Sequence, residues 1–252
     1  NTAIGNAAGR AMTTGTHNTL IGGLAGDALT DGIENVLIGH AAGGALTSGG
    51  SNIAIGPYAL DSEDGHGKNI AIGRAALGVQ NAGADAYNVA IGYHAGTAVT
   101  TGVNNVLVGG YAGVALTTGA DNVAIGRSAL GTENAHGRNI AIGYLALNAL
   151  DAGADAYNVA IGYNAGAAVS TAVKSVIIGG LAGDSITTGS KNTVVGYEAL
   201  STEDTRGTSV AIGHRALRDQ NATSDPYNVA VGFDAGLSVT SGIKNTIMGG
   251  LA

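Results

Sequence analysis

Cysteine is missing from this chain, which excludes disulfides, thiol nucleophiles and every zinc site built on Cys ligands. Tryptophan is missing too, so Phe233 and nine tyrosines supply all the aromatic bulk. Such residues cannot fill a wide globular core, whereas small apolar side chains suit a narrow interior in which each layer packs only on its neighbours. Charge is scarce: 11 Lys and Arg stand against 18 Asp and Glu, for a net charge of −7, with no basic stripe. That balance argues against nucleic-acid binding through phosphates and against an anionic membrane surface. Neither a signal peptide nor an apolar run of about 18 residues occurs, so no part of the segment is expected to insert in a membrane.

Glycine is abundant, 44 of 252 residues, and it is periodic. The pattern N-x-x-(Ile/Leu/Val/Met)-G occurs fifteen times from Asn1 to Asn245, with Ser175 and Ser209 in the Asn place, at intervals of 17 residues broken three times by 19. A fixed period of this size marks stacked coils. Residues 1–252 are therefore expected to form one all-β segment, a parallel β-roll or β-solenoid of about fifteen rungs. The chain opens on a repeat and stops eight residues into another, at Ala252, as an excerpt of a longer fibrous protein would. Helix is a poor competitor, because each interior Gly costs about 1 kcal/mol there and no 3.6-residue apolar stripe persists.

With the Asn of each rung numbered 1, positions 2 to 4 hold β-formers or Ala, position 5 is always Gly and position 8 is always Ala. A short strand ending at Gly points to a turn with positive φ or a close backbone approach. Side chains alternate along a strand, so positions 2 and 4 share a face. Ile4, Ile21, Ile38, Ile55 and their equivalents are expected to form the interior ladder. Position 3, also apolar, would then face outward against partner chains. Thr/Ser pairs before Gly, as in Leu116-Thr117-Thr118-Gly119, suggest a second short strand and a closing turn in each rung. The Asn side chain is expected to cap the turn and bond its equivalent one rung away.

A longer period lies over the first. From Asn18 onward position 9 reads Gly in two rungs and then Leu in two, and Tyr87, Tyr157 and Tyr227 fall 70 residues apart, so the full unit is four rungs. In the Leu rungs position 12 changes from aliphatic to Glu63, Gln80, Glu133, Glu203 or Gln220, with Leu150 as the exception, and the arc becomes charged. Leu at position 9 would fill the volume that the altered arc vacates.

The charged arcs place His66 and His136 among carboxylates, but Asp61, Glu63 and Asp64 lack the fixed oxygen-ligand positions and closing Glu of a calcium loop. Arg206 stands in the third copy where a His would be expected. No metal site, cofactor or catalytic set is expected: no Gly-rich stretch precedes a long helix, and no Ser, His and Asp recur together. The candidates for a recognition surface are the position-6 aromatics Tyr93, Tyr144, Tyr163, Tyr197 and Phe233, with Glu63, Asp64, His66, Glu133 and His136 of the arcs. Aromatics beyond a strand can stack on sugar rings or partner proteins, or on one another between chains.

The motif as it stands in Asn88-Val89-Ala90-Ile91-Gly92 and Ser209-Val210-Ala211-Ile212-Gly213 resembles the head repeats of YadA-like trimeric autotransporter adhesins, and related repeats of phage and virus tail fibres. A hexapeptide left-handed helix fits less well, since the Ile-Gly step comes once per 17 residues. The resemblance covers the whole chain, although the rung here is longer than the family's. It implies a left-handed parallel β-roll, a homotrimer packed side by side, and a stalk and outer-membrane anchor elsewhere in the protein. The function it implies is a non-enzymatic extracellular adhesin head. A host surface, matrix protein or glycan would be the ligand. A virion tail-fibre shaft and a filament subunit stacking end to end are the alternatives.

Overall fold

The computed structural model describes residues 1–252, which form two units, Asn1–Asn122 and Val123–Ala252. The architecture is all-β: fifteen three-residue strands, one per rung, form a parallel β-solenoid. Strands β1 (Thr2–Ile4) to β7 (Val106–Val108) belong to the first unit and β8 (Val123–Ile125) to β15 (Thr246–Met248) to the second. Register is kept across rungs of both lengths: Ala54 pairs with Ala71, and Ala71 pairs with Ala90 one 19-residue rung later. The two extra residues leave the ladder untouched because they are absorbed in a loop around Gly83, which has φ +70 and no neighbour where a Cβ would lie.

The strand faces are reversed from the sequence expectation. Position 3 lines the interior: Leu20, Leu37, Ala54, Ala71, Ala90 and Leu107 in the first unit are fully buried. Positions 2 and 4 point outward, leaving Ile91 37% and Ile125 36% exposed. An apolar residue on both faces gives alternation no power to choose between them. The turn decides instead. Gly22 (φ +133) holds a conformation L-residues avoid, and a Cβ on it would lie 2.5 Å from the Gly39 carbonyl oxygen. The chain then bends through left-handed positions 7 and 9, as at Leu24 (φ 60) and Gly26 (φ 53), and again before the next Asn, as at Glu34 (φ 58). Non-glycine residues in this region cost about 1–2 kcal/mol each. Rung-to-rung bonds hold them there, Leu24 N–H to Asn6 C=O at 2.9 Å and Glu34 N–H to Thr16 C=O at 3.1 Å.

The expected second strand is absent from the Thr-rich arc, which is built of turns. Its backbone still bonds the next rung, with Thr30 N–H donating to Thr47 C=O at 2.8 Å and Thr100 N–H to Thr117 C=O at 2.9 Å. The Asn ladder forms, with a defined division of labour. Asn35 Oδ1 accepts the Asn52 backbone N–H at 2.9 Å, while its Nδ2 donates to Gly49 C=O at 2.8 Å within its own rung. Ser175 keeps only the first link, its Oγ accepting the Asn192 N–H at 3.2 Å.

In several rungs interior volume is exchanged between positions 3 and 9. Leu20, Leu37, Leu107 and Ile177 at position 3 face Gly26, Gly43, Gly113 and Gly183, where a Cβ would meet their side chains or, at Gly183, the Ile186 side chain. Rungs with Ala at position 3, such as those of Ala54, Ala71, Ala124 and Ala141, carry the buried Leu60, Leu77, Leu130 and Leu147 instead. Leu at position 9 accompanies the altered arcs, at Leu60, Leu77, Leu130, Leu147, Leu200 and Leu217, whereas the rungs of Ala90, Ala160 and Ala230 keep Gly96, Gly166 and Gly236. Position 8 is Ala throughout and buried in every inner rung, and its carbonyl accepts the position-9 N–H of the preceding rung.

Candidate functional site

Three surface features recur with the longer period. The first is an aromatic column at the corner just past the invariant Gly, at positions 6 and 7. In the first unit Arg74 Nη1 donates to the Tyr93 hydroxyl at 3.2 Å, Tyr93 meets Tyr111 edge-on with centroids 5.4 Å apart, and His94 stacks on Tyr111 at 5.9 Å. In the second, Arg127 lies 5.9 Å over Tyr144, which stacks on Tyr163 at 5.5 Å, and Tyr197, His214 and Phe233 form a continuous stack at 5.6 and 5.0 Å. Arg215 sits 5.9 Å over the Phe233 ring and also donates to Asp234, whose carboxyl it holds below the usual range. All five position-6 aromatics predicted from the sequence are solvent-exposed, Tyr163 by 57%. Their spacing did not reveal Arg74, Arg127 and His214, which reach Tyr93, Tyr144, Tyr197 and Phe233 from adjacent rungs, or His94, which lies against Tyr93 and Tyr111.

The second feature is a charged corner at the other end of the strand, at the left-handed residue before each Asn. Lys68 Nζ bridges Asp85 at 2.6 Å and the Tyr87 hydroxyl at 3.1 Å, and these partners push the exposed lysine up to about 12. Arg138 repeats the arrangement with Asp155 and with Tyr157 at 3.0 Å. In the third copy Thr208 takes the cation's place beside Asp225 and Tyr227.

The third is the charged arc, where the structure corrects the sequence reading. Glu63 and Glu133, placed among the recognition residues, are fully buried, as is Glu203. Each accepts the backbone N–H three residues on, from His66 at 3.3 Å, His136 at 3.1 Å and Arg206 at 3.1 Å, and so closes the arc from within. In the first copy Gln80 Nε2 donates to Glu63 Oε2 at 3.3 Å and Gln80 Oε1 accepts from Asn88 Nδ2 at 2.9 Å, tying the carboxylate to the Asn ladder. Burial is the main cause holding the Glu63 carboxyl above its ordinary value. Asp64 is exposed and His66 and His136 are half-buried, so only these three arc candidates border solvent.

No family model, curated protein or solved structure matches this chain. The geometry is therefore the ground for function. One cleft, about 500 Å³, is the open face of the last rung, walled by Leu237 and by Val239 and Ile247, the last two at interior positions that a following rung covers elsewhere. The outer strand face of each unit presents two columns, at positions 2 and 4, made almost entirely of Val, Ile and Thr. Exposed β-branched residues on a regular pleat can pack against another such face, and exposed ring stacks can receive a flat apolar or sugar face.

Proposed function

We propose that this chain is a non-enzymatic surface-fibre or adhesin-head segment that assembles as a homotrimer and presents its aromatic and charged corners outside the cell. One observation carries the reading: in both units the outward strand positions 2 and 4 are overwhelmingly Val and Ile, half-exposed in a single chain. A solvated sheet face normally alternates to polar residues, and an apolar face this regular is fitted to self-association. Packing by these faces leaves the corners to either side, with Tyr93, Tyr163 and Phe233 on one and Lys68 and Arg138 on the other, as the recurring elements open to a ligand. The similarity of the rung motif to YadA-like heads supports the extracellular setting. Backbone ladders and buried Asn side chains would give a rigidity suited to that setting without a disulfide.

Mass measurement of the purified chain across a dilution series tests the assembly. Three chains per particle over a wide concentration range is the expected result. A monomer at every concentration would overturn the trimer, and species that keep growing would favour the end-to-end filament.

A further inference from the structure

The three copies of the buried-glutamate arc differ in how the carboxylate is capped. At positions 80 and 81 the first copy has Gln-Asn, at 220 and 221 the third has Gln-Asn, and at 150 and 151 the second has Leu-Asp. In the first and third copies the Gln amide caps the carboxylate, Gln80 Nε2 on Glu63 Oε2 at 3.3 Å and Gln220 Nε2 on Glu203 Oε2 at 3.1 Å. Leu150 can supply no donor. Glu133 Oε2 is consequently left without a hydrogen-bond partner although the side chain is fully buried. An uncompensated buried carboxylate is costly, and the same pair of changes that removes the cap adds a second carboxylate beside it.

We propose that Glu133, His136 and Asp151 form a binding site for one divalent transition-metal ion of the zinc class. Each of the three offers a ligand atom within 4.8 Å of the other two, and His136 Nδ1 is 3.5 Å from Glu133 Oε1. A bound ion would stand about 2.0–2.2 Å from each ligand, so only small side-chain rotations separate this arrangement from coordination. Two carboxylates and one imidazole match the charge of a divalent ion, and the nitrogen ligand favours zinc, cobalt or nickel over calcium or magnesium. The framework is rigid: His136 N–H bonds Glu133 Oε1, Thr132 Oγ1 bonds the carbonyls of Asn148 and Leu150 at 2.9 and 3.1 Å, and Asp151 N–H bonds Ser170 C=O at 2.8 Å. Asp151 is exposed and His136 half-buried, which leaves an entry path and an open fourth position for water. The ion would clip one rung to the next and satisfy the orphaned Glu133 oxygen. The first copy also gathers Glu63, Asp64 and His66, but there both Glu63 oxygens already accept hydrogen bonds. The third carries a fixed cation, Arg206, in place of the His.

Calorimetric titration of the metal-free full chain with Zn²⁺, and with Co²⁺ followed by its visible absorption, tests the site. One ion per chain is expected, with a rise in the thermal unfolding midpoint that EDTA reverses. L150Q/D151N, which writes the Gln-Asn pair of the other copies into the second, should fold as the wild type does in EDTA and bind at least tenfold more weakly. Should that variant fail to fold, H136Q, changed at a half-exposed position, serves for the same comparison. No saturable binding, equal affinity in the wild type and these variants, or loss of binding in H66Q in place of H136Q would overturn the proposal.

Discussion

Gln80 Nε2 donates to Glu63 Oε2 across 3.3 Å in an interior that water does not reach. The contact joins two rungs through side chains, in a fold whose other rung-to-rung links are mostly backbone. It also makes a carboxylate a structural part of the stack. Glu63→Leu would leave both the Gln80 amide and the His66 N–H without an acceptor. Each orphaned donor costs about 1–3 kcal/mol, so urea denaturation should show a loss of roughly 2–5 kcal/mol.

The same carboxyl sets a pH dependence. Burial raises it above its ordinary 4.5, so the folded chain binds this proton more tightly than the unfolded one. Its contribution to stability is then greatest below 4.5, falls as pH rises through the folded value, and is flat above that. Unfolding midpoints measured from about pH 4 to pH 8 should fall more steeply with rising pH in the wild type than in Glu63→Gln, the difference isolating this group from the other carboxylates.

The trade between positions 3 and 9 gives a double-mutant cycle. Leu107→Ala should cost about 2–5 kcal/mol as a core truncation. Gly113→Leu alone should be worse, since the new Cβ would lie 2.8 Å from Leu107 Cδ2. Together they rebuild the Ala141, Leu147 and Leu150 pattern found two rungs later, where Leu147 holds φ 48. The double variant should recover most of the loss, and additive losses in chemical denaturation would show that the volumes are not exchanged.

Two glycine substitutions should separate strain from collision. Gly83→Ala meets nothing within 4 Å at φ +70 and should cost about 1–2 kcal/mol. Gly92→Ala would place a Cβ 2.5 Å from the Gly109 oxygen at φ +143. Its cost should exceed about 4 kcal/mol, seen as failure to accumulate folded protein. Similar midpoints for the two variants would refute the close-approach account.

If the outer strand face is the assembly surface, Ile91→Lys with Ile125→Lys should leave the unfolding free energy of a single chain within about 1 kcal/mol while lowering the particle mass. An unchanged mass would place the contact elsewhere.

Much of the fold was legible in the residues. The fifteen Asn-to-Gly segments became fifteen strands at the same positions, because a three-residue β-forming run closed by a mandatory Gly has few alternatives. The Asn ladder and the exposed position-6 aromatics followed from spacing for the same reason: in a stack, equal spacing in sequence is adjacency in space. The facing of the strand did not, since Val89-Ala90-Ile91 is apolar at every position and only the left-handed turns at Gly92 and His94 settle that Ala90 points inward. Nor did the burial of Glu133 or its meeting with Asp151. Charge in a variable arc reads as solvent-facing, and a ligand contributed by the next rung leaves no motif. Repetition is a property of the chain and fixes what stacks; the direction in which each side chain points is set by turn dihedrals, which only the closed rung determines.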